Sequence, residues 1–197
     1  MRKTAILFAA AIPLVAAPLT QQDRDKLIQD LDHSRQVFLD AIADVKTEAQ
    51  WNYKPAPDRW SVGECAAHII AAEDYFRQGV SEALKSPPLA AQQQSSAGDA
   101  VISNMVRNRS MKFKAPTVLE PTGKVQPKAQ SIAAFEATRA KTLEYVRTTQ
   151  DALREHGSGD PPNVTSAYQM VLMLSGHTER HTAQLLEVKA SPGYPKN

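Results

Sequence analysis

Cysteine is almost missing from this chain. Cys65 is the single thiol among 197 residues, so no internal disulfide can form, and stability must come from packing or from a bound ion. An excess of one charge is missing too. Lysine and arginine number 23 against 21 aspartate and glutamate, and setting Arg2 and Lys3 aside leaves 21 against 21. Without a basic excess the chain has no general means of neutralising a phosphate backbone, which argues against nucleic acid as its main partner. No stretch shows a convincing two-residue alternation of polar and apolar side chains, and no internal repeat is present. A sheet-rich or solenoid architecture is therefore not expected.

Long apolar runs are confined to the amino terminus. Arg2 and Lys3 precede an apolar run from Thr4 to Ala17 that closes on Val15-Ala16-Ala17, the layout of a secretory signal peptide. At about 14 residues, with Pro13 inside, the run is short of the roughly 20 that a bilayer span needs. Residues 1–17 are thus expected to be a leader that directs the protein out of the cytoplasm, with no stable membrane span once it is removed. Cleavage would leave Pro18 just past the cut, so retention as an uncleaved anchor stays open.

What is present is helical periodicity, enough for one domain over residues 20–190 and a flexible tail over 191–197. A first helix is expected from about Thr20 to Val45, with Leu27, Leu31, Phe38, Ala41 and Val45 on one face. A proline-punctuated loop, Tyr53 to Trp60, follows. Ser61 with Glu64 forms a capping box that opens a second helix to about Leu84. The stretch from Ala90 to Gln130 reads as a long connection with a short helix over Asp99 to Met111, and a connection of that length is usually functional. A third helix is expected from Ser131 to His156, stopped by Gly157, and a fourth from Ser166 to Ala190. The fold class is all-α: a four-helix bundle with a long loop between its second and third helices.

Helix geometry sorts the five histidines. At about 100° per residue, His177 and His181 lie one turn apart in the middle of the apolar stripe formed by Met170, Leu174, Leu185 and Val188. Two imidazoles on an inward face are costly unless their nitrogens are satisfied, and a metal ion held at i, i+4 spacing satisfies them. His68, on the flank of the second helix's stripe, supplies a third nitrogen from another helix. Three protein ligands leave a position for water or substrate, as catalytic sites do. His33 is expected to face water, and His156 to end the third helix. His177-Thr178-Glu179-Arg180-His181 is not a zinc-protease motif, because Glu179 does not follow the first histidine directly and points away as a solvated charge.

Other polar residues fall on apolar stripes. Arg139 and Glu73 hold central positions on the third and second helices, so they are expected either to pair in the core or to form a substrate-binding couple, with Arg139 anchoring a carboxylate or phosphate. Cys65, one turn before His68, is either a fourth ligand or a small core residue. Trp60 is expected to anchor its loop and Glu64 to act as a cap.

The ordered set Trp51-Asn52-Tyr53-Lys54-Pro55, Arg59 through His68, Arg109 through Pro116, Pro121-Thr122-Gly123 and His177-x3-His181 resembles the DinB-like superfamily of metal-binding bundles, also called DinB/YfiT-like. The similarity runs from about Gln22 to Lys189. It implies an unusual helix order and one divalent ion on His68, His177 and His181, with Zn²⁺ first and Ni²⁺, Fe²⁺ or Mn²⁺ as alternatives. It also implies a homodimer, and a low-molecular-weight thiol as substrate or cosubstrate. The leader departs from the cytosolic members and weakens the thiol expectation. The function expected is a metal-dependent enzyme, of hydrolase or thiol S-transferase type, acting on a small molecule. A non-catalytic metal-binding or sensing module and a purely structural bundle are the alternatives, and no catalytic general base is identifiable.

Overall fold

The computed structural model describes residues 17–122, 125–160 and 163–196, so residues 1–16 of the expected leader, and Gly123, lie outside it. Four long helices dominate: α1 (Gln21–Ala43), α3 (Val62–Ala83), α5 (Lys128–Thr148) and α6 (Ala167–Lys189). Two short ones, α2 (Glu48–Asn52) and α4 (Asp99–Arg107), lie in the connections. Among the described residues, no helix is long and apolar enough to cross a membrane.

The helices start where their side chains can cap them. Ser61 and Glu64 form the reciprocal box that opens α3, and Ser166 with Gln169 does the same for α6. A third box, Thr47 with Gln50, starts the five-residue α2 between the first long helix and the proline-punctuated loop. The end of α5 corrects the sequence expectation. It stops at Thr148, not at His156, because Thr149 closes a local turn with Asp151 (Asp151 N to Thr149 Oγ1 3.0 Å). Arg24 donates to the carbonyls of Val146 and Thr149 at that end. The chain beyond folds back, burying Leu153 completely, and His156 Nδ1 donates to Ser86 O at 2.8 Å from an irregular segment. Gly157 ends no helix. It pairs with Ser166 in a two-residue antiparallel ribbon, β1 (Gly157–Ser158) with β2 (Thr165–Ser166), where a Cβ would lie 2.6 Å from Thr165 O.

The four long helices make a bundle in which α5 and α6 each pack against both α1 and α3. Around the bundle the order is therefore α1, α5, α3, α6, and the sequence neighbours α1 and α3 face each other diagonally. An up-and-down bundle would have placed them side by side. Within the carboxy-terminal tail Tyr194 meets Tyr53 edge-on at 5.7 Å, and Gln50 Nε2 donates to Pro195 O at 3.1 Å.

Two apolar clusters fill the interior. One gathers Leu27, Leu31, Val80, Leu143, Leu153 and Leu174, the other Phe38, Ile42, Val62, Ile69, Phe135 and Leu185. Between them every long helix contributes a polar residue: Ser34, Glu73, Arg139 and Thr178. Arg139 is fully buried and spends its guanidinium on Glu73 Oε1 (2.7 Å), Leu31 O (2.6 Å), Ser34 Oγ (2.8 Å) and Thr178 Oγ1 (2.9 Å). Thr142 Oγ1 donates to the other carboxylate oxygen of Glu73 at 2.7 Å. Burial of these charges is offset because nearly every donor and acceptor has a partner.

Candidate metal centre

Packing of α3 on α6 brings three imidazoles from two helices to one point. His68 Nε2 lies 3.0 Å from His177 Nε2 and 3.1 Å from His181 Nε2. A tetrahedral ion with about 2.05 Å bonds to nitrogen would separate its ligand atoms by about 3.3 Å, so these separations fit a shared ion within a few tenths of an ångström. Among the described residues these three histidines form the one cluster of metal-ligating side chains.

The hydrogen bonds behind the rings show why the site suits a cation. His68 Nδ1 lies 2.7 Å from Leu119 O, in the 3₁₀ turn Thr117–Leu119. A carbonyl only accepts, so Nδ1 carries the proton and the neutral ring turns a bare lone pair inward. His181 Nδ1, 2.8 Å from Gln184 Oε1, is set the same way. Two lone pairs 3.1 Å apart cannot hydrogen-bond to each other. A cation between them relieves that repulsion, and burial makes an added proton a poor one. Desolvation, reinforced by the neighbouring rings, holds His177 down at about 3 and His181 at about 2, and desolvation lowers His68 too. Buried His177 Nδ1 has no hydrogen-bond partner.

A stability prediction follows for the metal-free protein. Unfolded imidazoles take up protons near pH 6.5, whereas the folded ones resist until far lower. Acid therefore favours the unfolded chain, and stability falls as pH drops below 6.5, by up to about 1.4 kcal/mol per pH unit for each histidine. Urea melts between pH 7 and 4.5 should show this slope, a window that avoids Asp23 and Asp44, whose partners Arg154 and Lys189 hold their carboxyls below the usual range. Flat stability across the window would mean that the rings titrate normally.

The three histidines open on a cavity of about 730 Å³, within the range of small-molecule sites. Its walls come from α3, α6 and the connection between α3 and α5, including Met105, Arg109, Phe113 and Leu119. That connection is tied down by α6. Arg180 donates to the carbonyls of Val106, Asn108 and Met111, and Arg107 grips Glu179 with two bonds of 2.8 Å. Glu179 is thus not the solvated charge expected of it, since α4 lies over that face of α6.

The remaining candidates fall away from the centre. Arg139 and Glu73 do not line the cavity, and their polar atoms are turned to each other and to neighbouring helices. Cys65 sits in the apolar cluster, its thiol pushed up to about 12 by burial, and supplies no ligand atom. Trp60 does more than anchor its loop. Its ring lies 4.8 Å from that of His68 and 5.9 Å from that of His181, forming part of the cavity wall. Gln184 was missed, although its place three residues after His181 is the helical spacing for a supporting acceptor. Leu119 O could not be found from sequence, because any residue offers a carbonyl.

The family model of the DinB superfamily matches residues 30–185. No curated protein matches the chain. Among solved structures, YfiT from Bacillus subtilis, described as a probable metal-dependent hydrolase with an unusual four-helix bundle topology, is similar with a TM-score of 0.56 and 15% identity, over 90% of this chain and 91% of its own. That likeness agrees with the helix order found here, and the family match covers all three histidines. The chain belongs to the DinB superfamily.

Proposed function

We propose that this protein is a metal-dependent enzyme of hydrolase type acting on a small molecule, with one divalent ion, Zn²⁺ first, on His68, His177 and His181. The observation that carries it is the convergence of three Nε2 atoms at the floor of an open cavity, two of them fixed as lone-pair donors by Leu119 O and Gln184 Oε1. An ion held there would supply Lewis acidity to water or a substrate carbonyl. The chain's own contribution is positional. Leu119 and Gln184 orient rings, Trp60 shields one side of them from water, and the three-ligand set leaves coordination free toward the cavity. The open cavity favours this reading over a closed sensing or structural site. Thiol S-transfer would use the same geometry but needs a thiol co-reactant, whereas hydrolysis needs only water. We place the reaction outside the cytoplasm, on the strength of Arg2, Lys3 and the apolar run to Ala17.

Chelator-treated protein should lose hydrolysis of activated esters and amides and recover it on adding about one equivalent of Zn²⁺, Ni²⁺ or Mn²⁺. Turnover that is indifferent to chelation would overturn the reading. Turnover restored only when a thiol is also supplied would favour transfer over hydrolysis.

A further inference from the structure

Positive charge is concentrated at the cavity far beyond its share of the chain. The whole sequence carries a formal +2, yet the wall of this one cavity holds Arg59, Arg109, Lys112, Lys114 and Arg180 against Asp58 and Glu187. Glu187 is already shared, with Arg109 at 2.9 Å and Arg59 at 3.6 Å. Arg180 donates to three main-chain carbonyls, which orient its guanidinium but carry no net charge to offset it. Lys112 and Lys114 are exposed and have no hydrogen-bond or ion-pair partner among the described residues. The rest of the lining is largely apolar, with Phe76, Met105, Phe113 and Met173 beside the histidines.

A pocket that is cationic and greasy at once is matched by a ligand with both features. We propose that the site selects an organic anion, its carboxylate or phosphoryl headgroup held by Lys112 and Lys114 and its apolar body lying on Phe76, Met105, Phe113 and Met173. The role sequence pattern suggested for Arg139, anchoring a substrate anion, thereby passes to lysines on the connection between α3 and α5. Uncompensated charge beside low-dielectric walls attracts an anion more strongly than the same charge in open water, and the attraction weakens with salt. What happens to the bound anion rests on the metal-dependent reading above, but its binding does not.

The test is calorimetric titration of the full chain with 4-phenylbutyrate, phenyl phosphate and the neutral control 4-phenylbutyramide. At least one anion should bind about tenfold or more tighter than the amide at low salt, with the gap narrowing as salt is added. The Lys112→Gln/Lys114→Gln variant, whose changes are on exposed side chains, should keep its melting temperature, lose about tenfold in anion affinity and bind the amide as before. Equal binding of amide and anions, or an anion preference untouched by the double variant, would overturn the proposal. Repeating the titration on metal-stripped wild-type protein separates the two readings. A preference that survives stripping supports the lysine wall whatever the metal does, and one that vanishes puts the anion on the metal and overturns it.

Discussion

Arg139→Met is expected to lower the stability of the folded chain by about 3–5 kcal/mol, the cost of leaving a buried charge without its partner. Glu73 would remain fully buried between two apolar clusters with Thr142 as its donor, and the carbonyl of Leu31 and the hydroxyls of Ser34 and Thr178 would each lose a donor. For a domain of this size the loss corresponds to a fall in melting temperature of roughly 6–20 °C. Adding Glu73→Leu should restore most of it, because replacing both members of a buried pair by apolar groups of similar volume is often neutral or better. Urea melts of the two variants measure both quantities. A single variant within about 1 kcal/mol of wild type would show that Arg139 does not hold the four helices together. Metal content should be unchanged in the double variant, since neither residue lines the cavity.

The same residues show how far a sequence can be read. Arg139 and Glu73 were visible because a charge on an apolar helical stripe must be answered by another, and the stripes of α3 and α5 predicted which. His177 and His181 were visible for the same reason, and the starts of α1 and α3 followed from Thr20 and Ser61 as caps. The end of α5 was not legible. Apolar spacing continues through Leu153, but Thr149, Asp151 and Arg24 compete for the same backbone groups, and Arg24 lies 125 residues from Thr149. The partners that matter most to the centre are equally remote in sequence: Leu119 O is 51 residues from His68. The cationic wall escaped notice because Arg109, Lys112 and Lys114 look like ordinary loop charges until the fold sets them around a cavity with Arg180.

Helix order bears on why the site can exist in this bundle. With α1 and α3 on a diagonal, α6 is flanked by both, so one face of α6 can seal the Arg139 layer through Thr178 while another gives His177 and His181 to α3. Structural polarity and ligand polarity thus share a helix without sharing a residue. The connection between α3 and α5 completes the site from outside, reaching it through Leu119 and held by Arg107 and Arg180.

Replacing His177 with leucine should move metal affinity and metal-free stability in opposite directions. Wild-type protein is expected to carry about one divalent ion per chain and to gain about 2.7 kcal/mol when the free ion is at a hundred times its dissociation constant. His177→Leu, like His68→Ala and His181→Ala, should bring bound metal to background and abolish that gain. Without metal, however, His177→Leu should be as stable as wild type or more so, because it removes a desolvated imidazole whose Nδ1 is buried without a partner and puts an apolar side chain beside Phe76. Gln184→Ala should fall between, with metal bound some 10- to 100-fold more weakly, since His181 keeps its ligand atom but loses the acceptor that orients it. Elemental analysis and melting with and without Zn²⁺ read all four variants. Metal retained at wild-type stoichiometry in His177→Leu would put the ion elsewhere, while a variant destabilised equally with and without metal would make the three rings part of the core and nothing more.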